Sequence, residues 1–269
     1  MLPILISTPH CSGHVPYWIL ARMLGTGESE AGLRRRLFKE GDPFTDALFH
    51  IPDAETTLNA PASRFVADLN RAREEGGENG VIKLTDFDRR AFYPTGYSLS
   101  PQEREMRLSL YYDPYHAAME KALRTGRIRF FIDGHSMTSL GPALGPDQGR
   151  ARPAICIGNF GDADGDPDDG PVSCPPPLAR GIRDKLADLL KGPLAESGLP
   201  DVPALNHPFN GGYILRKYSQ APFAAPGVMI EINRGLYLDE DTQTPLPGRV
   251  EAISKAMGKL TAWIVDTLP

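Results

Sequence analysis

The chain is poor in cysteine, with three (Cys11, Cys156, Cys174) among 269 residues and no C-x-x-C pair. An odd, scattered set argues against a disulfide framework and against a cysteine-bound zinc. The three read as bystander or buried thiols. Long apolar runs are also missing. Residues 2–6 form a short apolar stretch interrupted by Pro3, without the basic start and long core of a signal peptide. No run nears transmembrane length. Nor is there a basic excess: 29 Lys and Arg face 34 Asp and Glu, interspersed, for a net charge of −5. That is not the electrostatic footprint of a nucleic-acid binder. These absences point to a cytoplasmic protein whose partner is a small molecule rather than a nucleic acid or a membrane. Without internal repeats or a convincing linker, residues 1–269 read as a single domain with a sizeable core.

What is present is an alternation of short apolar runs with amphipathic stretches, which predicts a sheet flanked by helices. Strands are expected at residues 2–7, 64–69, 129–132, 153–157 and 228–232, several as continuous apolar runs suited to central strands. The clearest helix begins at Ser100, where Ser100 caps, Pro101 takes the first turn and Glu103 completes an S-x-x-E capping box. It extends toward Leu123 with a kink or break at Asp113-Pro114, and Gly126 stops it. Further helices are expected at about 178–190 and 249–267, from apolar residues at helical spacing. Residues 158–177 form a Gly-, Pro- and Asp-rich loop. Its Asp162-Ala-Asp164-Gly-Asp166 lacks the later glycine and closing glutamate of a calcium loop and reads as solvated.

In open α/β sheets, ligands bind at the carboxyl ends of strands. Four polar clusters lie at or near such ends: His10, Asn70-Arg71, Asp133-Gly-His135-Ser136 and Glu231-Ile-Asn233-Arg234. Two histidines, one carboxylate and an open position make a catalytic zinc shell. His10 and His135 are the natural nitrogen ligands, with Asp42 the candidate oxygen ligand. Glu231, closing an apolar strand, suits proton shuttling because apolar surroundings raise a carboxyl pKa. His14, His50, His116 and His207 are expected to be structural, with His207 the nearest of these to the pocket. His10 and His14 do not form H-E-x-x-H, since no glutamate follows His10 and Gly13 and Pro16 disfavour a helix. Gly134-His-Ser136-Met-Thr138 approaches the G-x-S-x-G elbow of serine hydrolases but ends in threonine.

Six segments in order carry a family likeness: P-H-x-S-G at Pro9 to Gly13, D-x-x-x-D-x-L-F from Asp42, S-R-x-x-x-D-L-N-R from Ser63 to Arg71, D-G-H-S-M from Asp133, N-x-P-F-x-G-G-Y-I from Asn206, and E-I-N-R-x-L-Y from Glu231. Together they resemble the N-formylglutamate amidohydrolases, a family similar to the zinc carboxypeptidases and aspartoacylases. The resemblance implies a three-layer α/β/α fold with a mixed central sheet and a single zinc ion that activates water, though another divalent metal could fill such a site. It implies that Asp42 is the third ligand, since the carboxypeptidase H-x-x-E position holds Gly13. It also implies that Asn70-Arg71 hold a substrate carboxylate and that Glu231 is the catalytic carboxylate. The implied reaction is hydrolysis of N-formyl-L-glutamate to formate and glutamate, a late step of histidine breakdown. The alternatives are hydrolysis of another N-acyl amino acid and a non-enzymatic carboxylate-binding module. Formylglutamate carries two carboxylates, and a guanidinium matches each bidentately, which suggests Arg71 and Arg216 for the pair.

Overall fold

The apolar runs pair into one mixed sheet. In the computed structural model, which describes residues 1–200 and 203–268, its strands are β1 (Leu2–Thr8), β2 (Ala54–Asn59), β3 (Phe130–Met137), β4 (Ile155–Gly158), β5 (Ala204–Leu205) and β6 (Gly227–Asn233). Their order across the sheet is β2-β1-β3-β6-β4-β5. All neighbours are parallel except β6 and β4, which run antiparallel.

Side chains alternate across a strand, and here both faces are apolar. Ile4, Ile6, Phe130, Ile132, Val228, Ile230 and Ile232 pack on one side, against helices α3 (Thr45–Leu48), α6 (Pro176–Leu189) and α9 (Arg249–Thr267). Leu5, Phe131 and Met229 pack on the other, against α5 (Asp113–Arg124) and α8 (Tyr213–Ser219). Two apolar faces covered by helices make three layers, as expected for a sheet whose central strands are buried on both sides. Helices α1 (Tyr17–Met23) and α2 (Glu30–Lys39) close a third cluster around Phe65 and Phe92.

Ser100 caps α4 (Pro101–Arg107) by accepting from the Glu103 amide at 3.1 Å. The Glu103 carboxylate does not close the expected box; it binds Arg22, Arg107 and the Tyr97 hydroxyl instead. The helix does not break at Asp113-Pro114. Residues Leu108–Tyr112 form a π turn in which the Asp113 amide reaches back to the Leu108 carbonyl. The missing N–H of Pro114 thus falls where the i→i−4 ladder is already offset.

Residues 64–69 are turns rather than a strand, and Phe65 and Val66 owe their apolar character to the α1–α2 cluster. The loop at 158–177 folds on itself, with the Asp162 carboxylate taken by the amides of Asp164 and Asp166. None of its residues is among those lining the main cavity. Helix α7 (Lys191–Ser197) completes the α6 layer, and no helix among the described residues is long and apolar enough to cross a membrane.

Candidate metal centre

Strand period places the site. On β3, Phe131, Asp133 and His135 share a face, and on β6 so do Met229 and Glu231. The register sets His135 opposite Glu231, and Ser7 of β1 opposite Asp133. Gly134 faces the other way, where the Phe49 ring lies against the backbone; a Cβ there would stand 2.8 Å from it. His10 follows the end of β1, and Asp42 sits in the turn after α2. The Asp42 amide donates to the His10 carbonyl at 2.9 Å, and the Thr45 hydroxyl to the Asp42 carbonyl at 2.8 Å. Arg234 clamps the same turn through the carbonyls of Lys39 and Gly41.

His10, Asp42 and His135 each offer a ligand atom, all within 4.8 Å of one another, and each residue is only 3% exposed. Each histidine presents the same nitrogen to the shared space. The Nδ1 atoms of His10 and His135 lie 3.4 and 3.0 Å from Asp42 Oδ2. Each Nε2 is held from behind by a buried carboxylate: Asp68 Oδ1 at 2.7 Å for His10 and Asp133 Oδ2 at 3.0 Å for His135. Carboxylates behind imidazoles fix tautomer and ring angle in metal sites and raise ligand basicity. Those carboxylates are anchored too. Asp68 takes Lys83 at 2.6 Å and Arg64 at 2.9 Å, while Asp133 accepts from Ser7 Oγ, which in turn pairs with the Tyr115 hydroxyl at 2.9 Å.

Two observations test whether a metal fits. His10 Nδ1 is buried with no hydrogen-bond partner, and so is Glu231 Oε2. Buried polar atoms without partners are uncommon and each calls for an explanation. The donor set of two imidazole nitrogens and one carboxylate, with room beside it, is that of a catalytic metal site. The residues present therefore fit a metal ion.

The electrostatics agree. Burial opposes ionisation of Asp42, yet the imidazoles of His10 and His135, 3.4 and 3.0 Å away, hold it well below the usual carboxylate range. Burial likewise opposes protonation of His135, but the Asp133 charge and its hydrogen bond, with Asp42 behind them, carry it well above the usual imidazole range. Glu231 is pushed up to about 7, chiefly by burial, with His135 opposing.

Asn70 joins the cluster. Its Nδ2 lies 3.4 Å from Asp133 Oδ2 and 3.2 Å from His135 Nε2, and its Oδ1 accepts from the Ile214 amide at 2.8 Å. Arg71, half-buried, lines the adjoining cavity of about 790 Å³, as do Glu231 and Asn70. The backbone here is held from the π turn, whose Tyr112 hydroxyl donates to the Arg71 carbonyl at 2.8 Å, and from α5, whose His116 Nε2 donates to the Leu69 carbonyl at 3.0 Å.

Arg216 is not brought to this cavity. The segment forms helix α8, and Arg216 points outward with its guanidinium 4.5 Å over the Phe160 ring. His207 is exposed and its neighbours Pro208 and Phe209 line the cavity in its place. Ser136 sits within an unbroken strand with Arg234 Nε 3.4 Å from its hydroxyl, so no strand-to-helix elbow forms and no serine nucleophile is set up. Cys156 and Cys174 are buried thiols. The sequence reading missed Asp68 and Asp133 as supports and Arg152 as a lining residue. Asp68 and Asp133 lay in plain sight inside the motifs, but only the three-dimensional contact reveals what they hold.

The family model described as N-formylglutamate amidohydrolase matches residues 2–238. A protein named N-formylglutamate deformylase from Pseudomonas aeruginosa is 29% identical over 286 residues, covering 97% of this chain and 94% of its own. One of the same name from Pseudomonas putida is 29% identical over 257 residues, covering 89% and 83%. The crystal structure of N-formylglutamate amidohydrolase from Ralstonia eutropha JMP134 aligns with a TM-score of 0.70 at 23% identity, over 99% of this chain and 94% of that one. A gene product of Agrobacterium tumefaciens aligns at 0.57 and 19% identity, over 99% and 91%. At these identities the two solved structures speak for the fold.

Proposed function

The chain belongs to the N-formylglutamate amidohydrolase family, and on that premise we propose that it hydrolyses N-formyl-L-glutamate, with water, to formate and L-glutamate. The observation that carries the reading is the convergence of His10 Nδ1, Asp42 and His135 Nδ1 beside Glu231, within a cavity also lined by Asn70 and Arg71.

His10, Asp42 and His135 hold the metal, for which zinc suits two nitrogens and one carboxylate. When bound, zinc supplies a Lewis acid that acidifies water and polarises an amide carbonyl. The chain's own residues do the rest. Glu231, buried and with Oε2 unpartnered, accepts a proton from the attacking water and returns it to the departing amine nitrogen. A base that titrates near the working pH is best matched to both halves of that task, and burial raises Glu231 toward that range, to about 7 in the metal-free protein. Asn70 and Arg71 bind the substrate's α-carboxylate, Arg71 through its planar fork. Asp68 and Asp133 keep the two Nδ1 atoms unprotonated and aimed when the metal is in place. Arg64, within 3.8 Å of Asp42 Oδ1 and bound to Asp68, offsets the concentration of carboxylates.

The direct test is formate release from N-formyl-L-glutamate by metal-loaded protein, run beside N-acetyl-L-glutamate. Turnover of the formyl substrate that disappears on chelation and returns with zinc is expected. No formate release by fully loaded protein would remove this reading.

A further inference from the structure

An acidic amino acid bears two carboxylates, and Arg216 does not reach the cavity to take the second. Among the described residues, five cations line it: Lys39, Arg64, Arg71, Arg152 and Arg234. Two of these are tied to the support of the metal donors. Arg64 gives Nε and Nη2 to Asp68, and Arg234 gives both Nη atoms to backbone carbonyls of the Asp42 turn. Lys39 is a point charge on a flexible stem and cannot offer a planar fork.

Arg152 differs from all of them. It is 3% exposed yet lines the cavity. Asp147, itself buried, takes Nε at 2.8 Å and Nη2 at 2.8 Å, and Thr138 Oγ1 accepts from Nη1 at 3.1 Å. The Phe209 ring lies 4.9 Å from the guanidinium carbon. A guanidinium carries five N–H donors. With three engaged, one remains on Nη1 and one on Nη2. An arginine oriented along one edge by an aspartate and stacked on a ring loses little side-chain freedom when a ligand arrives.

The topology sets Arg152 apart from Arg71. Arg152 precedes β4, the strand paired with β6, so it lies on the Glu231 side of the site. Arg71 follows Asn70, which touches His135 and Asp133 on β3. We propose that Arg152 is the specificity-determining residue of this cavity and binds the side-chain carboxylate of an acidic N-acyl amino acid, while Asn70 and Arg71 bind the α-carboxylate. The inference rests on the amidohydrolase reading above and adds the reason for an acidic side chain.

The test compares substrates within one enzyme. Zinc-loaded wild type and Arg152→Gln are assayed with N-formyl-L-glutamate and its uncharged isostere N-formyl-L-glutamine. Loss of a charge-assisted contact is expected to lower kcat/KM for the glutamate substrate about 10- to 100-fold. The glutamine substrate should change less than about 3-fold on the same scale, so the preference collapses. Arg152→Gln leaves Asp147 buried without its cation, so Arg152→Gln/Asp147→Asn is measured alongside. A purely structural Arg152 would depress both substrates equally and leave their ratio at the wild-type value in either variant, which overturns the proposal. The reaction and the subsite fail separately. If wild type releases formate from neither substrate, calorimetric binding of L-glutamate and L-glutamine to wild type and the double variant still decides the subsite: lost discrimination supports it, and retained discrimination refutes it.

Discussion

Glu231→Gln exchanges one carboxylate oxygen for an amide nitrogen in a side chain only 8% exposed, leaving its volume in place. The packing of β6 and the three metal donors should be undisturbed, because Glu231 is not one of the donors and its Oε2 has no partner to lose. What disappears is the proton acceptor. General acid–base help is worth about 10²–10⁴ in rate, so kcat should fall by that factor while KM and zinc content stay near wild type. Stability offers a second, independent sign. The folded pKa of Glu231 lies near 7, above the ordinary carboxyl value of 4.5. Between those values the folded protein binds the proton more tightly than the unfolded chain, so metal-free wild type loses stability as pH rises from 4.5 toward 7. The glutamine variant lacks that group and its metal-free melting temperature should depend less on pH across the same window. Formate release, zinc content and thermal melts at pH 5 and 7.5 check all three. A variant that turns over nearly normally but melts early at both pH values would show Glu231 to be scaffolding and would refute the assignment.

Asp133→Asn weakens the support behind His135 and should lower zinc affinity about 10- to 100-fold, read by competition with a chromophoric chelator; unchanged affinity would detach Asp133 from the metal site. Arg71→Lys replaces a fork with a point charge and should raise KM for N-formyl-L-glutamate without altering zinc content. A wild-type KM would take Arg71 out of the substrate site. His116→Phe removes the donor to the Leu69 carbonyl beside Asn70. Because burial, with Lys217, holds His116 down at about 3, wild type keeps that donor neutral at working pH. The variant should therefore raise KM more than it lowers kcat, and equal effects on both would argue for general loosening.

Much of this arrangement was legible in the residues, because the central strands are written as apolar runs. Residues 2–7 and 228–232 carry no competing pattern, and the expectation of a sheet flanked by helices followed from such runs, while the three layers were implied by the family resemblance. The strand at Ala54–Asn59 was missed because it is an edge strand of mostly partly exposed polar residues, AETTLN, with no apolar run to announce it. Residues 64–69 misled in the opposite sense: Phe65 and Val66 are buried by helices rather than by strand pairing. The two histidines could be nominated from their places near strand ends, and Asp42 from the family motif it opens. Which ring nitrogen each histidine turns inward could not, since that depends on Asp68 reaching His10 from another part of the chain and on Asp133, two residues before His135, turning to its Nε2. Arg216 looked suitable by type, yet helix α8 turns it outward, and Arg152 had no motif around it to mark its approach to Phe209.

The central claim is that His10, Asp42 and His135 bind one metal ion through Nδ1, a carboxylate oxygen and Nδ1. Anomalous diffraction at the zinc edge, from crystals of the protein grown with zinc, measures this directly. The account predicts a single strong peak about 2.0–2.2 Å from all three donor atoms, with Asp68 and Asp133 still on the Nε2 atoms. A peak ligated by Nε2, or one that excludes either histidine, would contradict it.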